Sequence, residues 1–454
     1  MKFILNILIF ATMGLLLSSC SPRDTSSFTV PIEYYKLPNG LKVILSPDYT
    51  APIVTVAVYY NIGFRIEPSD RTGFAHLFEH MMFQGSQNLG KMEFVNLIQK
   101  NGGVLNGSTR FDFTNYFEIL PSHKLETALW AEADRMRGLD ITQENLTNQQ
   151  GVVVNEVNVA VHNQPYGGFP WLDMPQCANS NFYNSHNFYG ELADIEAATL
   201  ADVKEFFKTY YAPNNAALAV VGDIDIESAK KMIEKYFTDI PSVELPEQPD
   251  ISEPRQEESK FCSKVDPLAN RPAVAYAYHV PERGTPEYYA MGLIDQILVQ
   301  GEDSRLHNAM VQKKGITQSV EGGINLLGNM FNYKGPMLWM FSFIHDSTIA
   351  RAEIGNTIDS VVSALQNQPV DQATLNRAMI KFRSSYYDIV GGFFGFGRAD
   401  LLATFALFDD HPQKINEIED QFKKVTPELI QKTAQTYLRK TAQTELVVKT
   451  KWEK

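Results

Sequence analysis

The sequence predicts an α+β protein: two tandem homologous α/β-sandwich domains, each a mixed, mainly antiparallel sheet with helices, joined by a linker. Three observations predict it. The chain has 454 residues, and single hydrophobic cores stop growing at about 250–300 residues, so two domains or more are required. An extended polar segment divides the chain near its middle, and the two halves share a faint internal repeat. Composition excludes other classes. With 44% hydrophobic residues the chain is not disordered, and with three Cys it is not a disulfide-stapled miniprotein. A net charge of −13 without a Lys/Arg-rich run offers phosphate backbones no grip, so no nucleic-acid partner is expected.

Residues 1–19 read as a lipoprotein signal peptide. Lys2 precedes an apolar run from Phe3 to Leu17, shorter than the roughly 20 residues of a membrane span. The run ends in Leu17-Ser18-Ser19-Cys20, which resembles the lipobox of bacterial lipoproteins. That resemblance implies acylation of Cys20, a lipid anchor and a periplasmic location at the outer membrane. Residues 20–30 follow as a polar tether.

The N-terminal domain spans residues 31–240, the linker 241–260 and the C-terminal domain 261–454. Pro241 to Glu258 holds four prolines and six acids with almost no apolar periodicity, so it reads as extended and solvated. The alternating run Pro52–Tyr60 is echoed by Pro272–Tyr278, both strand-like. At an offset of 216, Leu77, Phe78, Met81 and Met82 fall on Leu293, Ile294, Ile297 and Leu298, a shared buried helix face. Thr199-Leu-Ala-Asp202 carries capping-box chemistry before a helix to Tyr210 and a strand Ala216–Val221. Thr426-Pro-Glu428 starts a helix to Tyr437 in the same manner, before a strand at Glu445–Lys449. Cys177 and Cys262 fall in different halves and outside any CxxC arrangement, so both are expected as unpaired thiols.

The chemistry sits in the first half. His76-Leu-Phe-Glu79-His80 lies in a breaker-free helical run from Gly73 to Met82. Histidines at i and i+4 project from one face and reach one metal at about 2.0–2.1 Å. Glu79 shares that face, free to take a proton from water: this is the inverted zinc motif HxxEH. Leu77, Phe78, Met81 and Met82 bury the helix on most sides, where two unliganded imidazoles and a carboxylate would be costly. A catalytic zinc needs a third protein ligand. Glu118, Glu126, Glu132, Glu144 and Glu156 are all available, and spacing alone does not choose among them.

HxxEH followed 76 residues later by Glu156, together with Asn101–Thr109, Ala133–Met136, Tyr210–Asn215 and Val221-Gly-Asp223, resembles the pitrilysin/insulinase family of inverzincin metallopeptidases. The likeness is greatest to the short two-domain members that include the mitochondrial processing peptidase and its bacterial homologues. It implies that His76, His80 and Glu156 bind Zn2+, that Glu79 is the general base, and that the chain is a zinc endopeptidase acting on peptides. The family adds its substrate as a β-strand along an edge that Asn106, Gly107 and Ser108 match. Two departures qualify this. A second Glu seven residues before the metal-binding one is here Gln149, which hydrogen-bonds without charge near the site. The C-terminal Arg and Tyr of single-chain relatives, placed after Gly301-Glu-Asp-Ser-Arg-Leu306, are here Val311 and Gln318, leaving only Lys313 or Lys314 as nearby cations. At the 216 offset His76, Glu79 and His80 map to Gly292, Asp295 and Gln296, so the second half holds no metal site. The resemblance therefore implies a heterodimer in which a homologous partner carries the Arg/Tyr pair. The alternative function is a non-catalytic binding or assembly subunit of a membrane-associated complex.

Two aromatic segments remain. Gly391-Gly-Phe-Phe-Gly-Phe-Gly397 breaks a helix and reads either as a cavity-lining loop or as a packed aromatic turn. Phe169, Trp171, Phe182, Tyr183, Phe188 and Tyr189 read either as contacts for substrate side chains or, more often for such a cluster, as domain core.

Overall fold

The computed structural model describes residues 28–452; the predicted signal peptide and Cys20 lie outside them. The first sheet comprises β1 (Glu33–Lys36), β2 (Lys42–Pro47), β3 (Ile53–Tyr60), β4 (Val104–Thr109), β5 (Thr114–Pro121) and β6 (Ala216–Gly222), in the order β1-β2-β6-β3-β5-β4. Only β2–β6 is parallel. β3 and β6 are buried almost throughout, as strands covered on both faces must be, which is why they read as continuous apolar runs.

The second sheet comprises β7 (Lys260–Asp266), β8 (Ala273–His279), β9 (Glu321–Ile324), β10 (Leu338–Ile344) and β11 (Thr444–Thr450), in the order β7-β11-β8-β10-β9. Its single parallel pair is β7–β11. Placed beside β2-β6-β3-β5-β4, order and direction coincide strand for strand, with β1 the one addition. The predicted α+β class with two related sheets is the observed one.

The helices that frame the site are α1 (Phe74–Met81), α2 (Leu125–Arg137), α3 (Gln143–Val157), α4 (Asp173–Ala178) and α5 (Leu200–Tyr210) in the first half. Their counterparts in the second are α6 (Pro286–Leu298), α7 (Arg351–Asn367), α8 (Gln372–Gly391), α9 (Phe396–Asp409) and α10 (Pro427–Tyr437). Thr199 and Asp202 form the reciprocal capping box at α5, and Thr426 caps α10 with Pro427 at its first position. α1 packs on α3, β4 and β5, and α6 packs on α8 and α10. α9 reaches across to β2, β3 and β6, so a helix of the second half covers one face of the first sheet.

One expectation is corrected. Cys177 and Cys262 are joined in a disulfide. α4, though early in the chain, packs on the second sheet: Met174 and Ala178 share a core with Ala275, Ala277, Leu338, Met340 and Leu446. This brings Cys177 to Cys262 on β7, so sequence halves are not packing halves. Residues 241–259 are extended and mostly exposed, as expected, with no helix or strand, and are tied down at particular points. Glu253 accepts hydrogen bonds from the Ser180 and Asn181 backbone and from Asn184, and Gln256 is buried.

Candidate metal centre

Gly73 opens α1 in the left-handed region at φ 80°, where a side chain would be strained. The helix start is held from outside: the buried Glu67 carboxylate accepts the Gly73 and Ala75 N–H groups at 2.8 and 2.6 Å. This satisfies orphan donors and sets an anion at the positive helix end. One turn apart on α1, His76 and His80 bring their Nε2 atoms within 3.3 Å. Glu156, in the last turn of α3, places Oε1 3.5 Å from His76 Nε2 and Oε2 3.2 Å from His80 Nε2. Among the described residues this is the one group of three His, Cys, Asp or Glu side chains whose ligand atoms lie within 4.8 Å of one another.

The residues fit zinc. Bonds of about 2.0–2.1 Å at tetrahedral angles set ligand atoms roughly 3.3–3.4 Å apart, close to the 3.3 Å between the two Nε2 atoms and the 3.5 and 3.2 Å from each to a Glu156 oxygen. Two imidazoles and one carboxylate are also a catalytic zinc donor set that leaves a fourth position open. Burial, aided by the neighbouring His80, pushes His76 down to about 4, so its ring is neutral and able to ligate. Burial also disfavours charge on His80, but Glu156 and Glu79 outweigh it and hold that ring above its ordinary value. Glu156 is held low by its hydrogen bond with His80 and remains a carboxylate. Burial raises Glu79, opposed by a 2.8 Å hydrogen bond from Thr109 Oγ1 to Glu79 Oε2.

The other acids are engaged elsewhere. Glu118 and Glu132 pair with the buried Arg135, Glu126 pairs with Lys235 at the surface, and Glu144 is exposed in the first turn of α3. Gln149, buried on α3, donates to Asn148 Oδ1 and adds to the groups that hold His80 above its ordinary value. Asn106, Gly107 and Ser108 lie on β4, at the open edge of the first sheet. A Cβ on Gly107 would sit 3.3 Å from Glu79 Cγ and 3.1 Å from Tyr116 Cδ1, so edge strand and α1 are in close contact there. Val311 is half-buried in a helical turn and Gln318 is exposed. Lys314 donates to Thr357 Oγ1 and lies 3.7 Å from Glu353, so it is tied to α7.

Sequence reasoning missed three neighbours. Phe188 and Tyr189, read more as core than as substrate contacts, wall the centre: their rings lie 5.1 and 5.2 Å from that of His76, and Tyr189 OH donates to Glu156 Oε1 at 3.4 Å. Glu67 caps α1 from outside any capping-box spacing. The one available signal was a Phe-Tyr pair in a polar, Asn-rich stretch.

Residues 42–167 match the sequence pattern of the insulinase (peptidase family M16) domain, and residues 197–382 that of the peptidase M16 inactive domain, together more than half of the chain. Over 449 residues the chain is 24% identical to the zinc protease PqqE of Helicobacter pylori, spanning 96% of each. Over 209 residues it is 24% identical to a probable mitochondrial-processing peptidase subunit beta of Arabidopsis thaliana, spanning 45% of this chain and 38% of that one. The fold matches the crystal structure of a protease from Helicobacter pylori with a TM-score of 0.85 and 24% identity, over 92% of this chain and 100% of that one. It matches a peptidase M16 inactive domain from Pseudomonas fluorescens with a TM-score of 0.80 and 18% identity, over 93% and 98%. With two sheets of one topology and matches to both domains of one family, this chain belongs to the insulinase family, peptidase family M16.

Proposed function

We propose that this chain is a zinc-dependent endopeptidase acting on peptides or unfolded segments, and the zinc-bearing subunit of a heterodimer. The observation that carries the reading is the meeting of His76, His80 and Glu156 with a Glu79 whose carboxylate is held by Thr109 of an open edge strand. Held by His76, His80 and Glu156, zinc supplies the Lewis acidity that polarises a carbonyl and acidifies water. The protein's own residues do the rest. Phe188 and Tyr189 wall one side of the centre and restrict water. Glu79, raised by burial, takes a proton on its carboxylate and delivers it to the leaving amine. The edge of β4 orients an extended peptide by main-chain hydrogen bonds.

Val311 and Gln318 supply neither cation nor phenol to a developing oxyanion, which supports completion of the site by a homologous partner. The same two residues favour a second reading, a non-catalytic binding or assembly subunit. A periplasmic place, with a lipid at Cys20 holding the chain to the outer membrane, is supported by the signal-like N-terminus and by the disulfide, which persists in oxidising compartments. A related protein of Escherichia coli, PqqL, is described as a periplasmic protease.

The test is cleavage of quenched peptides by zinc-loaded chain, alone and with proteins that co-purify from the native membrane. Cleavage that appears only with a homologous Arg/Tyr-bearing chain supports the full proposal. Cleavage by the isolated chain overturns the heterodimer, and no cleavage in either preparation favours the assembly subunit.

A further inference from the structure

We infer that Phe393 and Phe394, set beside the open edge of β4, select substrates by an apolar or aromatic side chain on one face of the bound strand. The inference rests on the peptidase reading above and names the substrate class for that site.

The loop that follows α8 is built against local preference. Phe393 and Phe394 take φ of 44° and 55°, and Gly395 takes 92°. Left-handed backbone is ordinary for Gly but unusual for bulky residues, and such strain collects where a fold has a use for it. Packing is not that use, because the two rings are 57% and 67% exposed. The backbone is nonetheless pinned: Thr55 Oγ1 on β3 donates to the Phe394 carbonyl at 3.0 Å, and Gly395 lies against Val221 and Thr55.

The pin sets the Phe393 ring against β5, the strand next to the edge, with the Phe394 ring beside it. Phe117 on β5 stacks on Phe396 at 3.9 Å and meets Phe393 edge-on at 6.2 Å. Across the ladder Phe117 pairs with Asn106, and Ile119 pairs with Val104, which is 51% exposed. Side chains alternate along a strand, and Gly107 faces Glu79, so Val104, Asn106 and Ser108 face the opposite way, toward the Phe393 side. Backbone groups alternate too. The Arg110 N–H donates to the Phe113 carbonyl on the β5 side, so Leu105 and Gly107 turn theirs to the open edge, where Asn106 Oδ1 accepts the Gly107 N–H at 2.9 Å and has to yield it to a peptide carbonyl.

A peptide strand paired to that edge therefore presents alternate side chains to two environments. One set faces Glu79 and the metal-binding histidines. The other faces an aromatic surface that only apolar or aromatic side chains bury to advantage. Main-chain pairing tolerates many sequences, so the selectivity falls to Phe393 and Phe394.

The test uses a peptide series in which one Phe is moved by single residues, each compared with the same peptide carrying Glu there. The proteins are the zinc-loaded full chain, with its partner where cleavage needs it, and a variant carrying Phe393→Asn and Phe394→Asn. Asn tolerates the left-handed region, so the rings go while the loop keeps its conformation. In the unaltered protein, Phe should be favoured over Glu in kcat/KM by about tenfold or more at alternate positions, the scale at which apolar pockets discriminate. In the variant the ratio should fall toward one, with zinc content and thermal midpoint unchanged. A labelled-peptide binding assay on Glu79→Gln separates this from the peptidase reading: Phe-dependent binding lost on loop substitution, without cleavage by the unaltered protein, sinks the peptidase and keeps the surface. An unchanged ratio, or peptides that neither bind nor are cut with a Phe preference, overturns the inference.

Discussion

α1 and α6 occupy the same place in two copies of one topology and carry opposite burdens. On α1, His76, Glu79 and His80 converge with Glu156 of α3 into a cluster of titratable side chains at contact distance. On α6 the corresponding residues are Gly292, Asp295 and Gln296. Asp295 accepts a 2.7 Å hydrogen bond from Trp339 Nε1 on β10, and the space a side chain would need at Gly292 is filled by Met330 and Phe422. Both helices keep the same apolar face, because that face builds the core; only the polar positions diverged. The fold is thus written in the hydrophobic spacing, and the chemistry in three or four residues laid over it.

That contrast can be broken from the active side first. Glu79→Gln keeps the shape and the hydrogen bond to Thr109 but removes the base. Cleavage should fall by on the order of a thousandfold, with about one zinc per chain retained by metal analysis. The equivalent change on α6, Asp295→Asn, should leave cleavage unchanged.

The next effect concerns the place where the two halves interlock. Replacing Cys177 and Cys262 by Ala releases α4 from β7 and should lower unfolding stability by about 2–5 kcal/mol, read by chemical denaturation with and without reductant on the unaltered protein. Loss of less than about 0.5 kcal/mol would show that the core around Met174 and Ala178 holds α4 unaided.

Restoring the motif on the silent side should fail. A Cβ at Gly292 would already lie 2.9 Å from Met330 Cε and 3.0 Å from the Phe422 ring. Gly292→His should therefore destabilise by about 1–3 kcal/mol through overpacking and gain no second zinc, as metal stoichiometry would show.

The smallest effect is the pH dependence of Asp295, whose carboxyl burial pushes from 3.8 up to about 7. Between those values the folded chain keeps a proton that the unfolded chain has released, so this residue lowers stability as pH rises through that window. Asp295→Asn keeps an acceptor for Trp339 and escapes the penalty. Its gain should be absent near pH 4 and fully developed above pH 7. The gain should be on the order of 1–2 kcal/mol, less than the shift alone would give, because the new amide needs a partner. Thermal midpoints at the two pH values decide it.

Much of this was legible in the chain because it is local. The capping residues Thr199 and Thr426, the alternation of β3 and β8 and the i, i+4 histidines each depend on neighbours a few residues away. What depended on the crossing of the segment around α4 was not legible. The Cys177–Cys262 bond exists because that segment leaves its own half, whereas the Phe188–Tyr189 wall comes from the chain returning onto α1, and no periodicity records either the departure or the return. Choosing Glu156 over Glu118 and Glu132 needed a third kind of knowledge, that Arg135 is buried between those two acids. The Glu67 cap was hidden for a similar reason: it reaches α1 from a preceding turn rather than from the capping position.

The central claim, that α1 and α3 build a working zinc centre with Glu79 as base, is tested most directly by cleavage of a quenched peptide pool by the chain as isolated, together with any protein that co-purifies with it. The account predicts cleavage that is lost on chelation, restored by about one equivalent of zinc per chain, and absent from Glu79→Gln that still holds its zinc. A zinc-loaded preparation that cuts nothing, or a Glu79→Gln variant that cuts as fast as the unaltered protein, would contradict it.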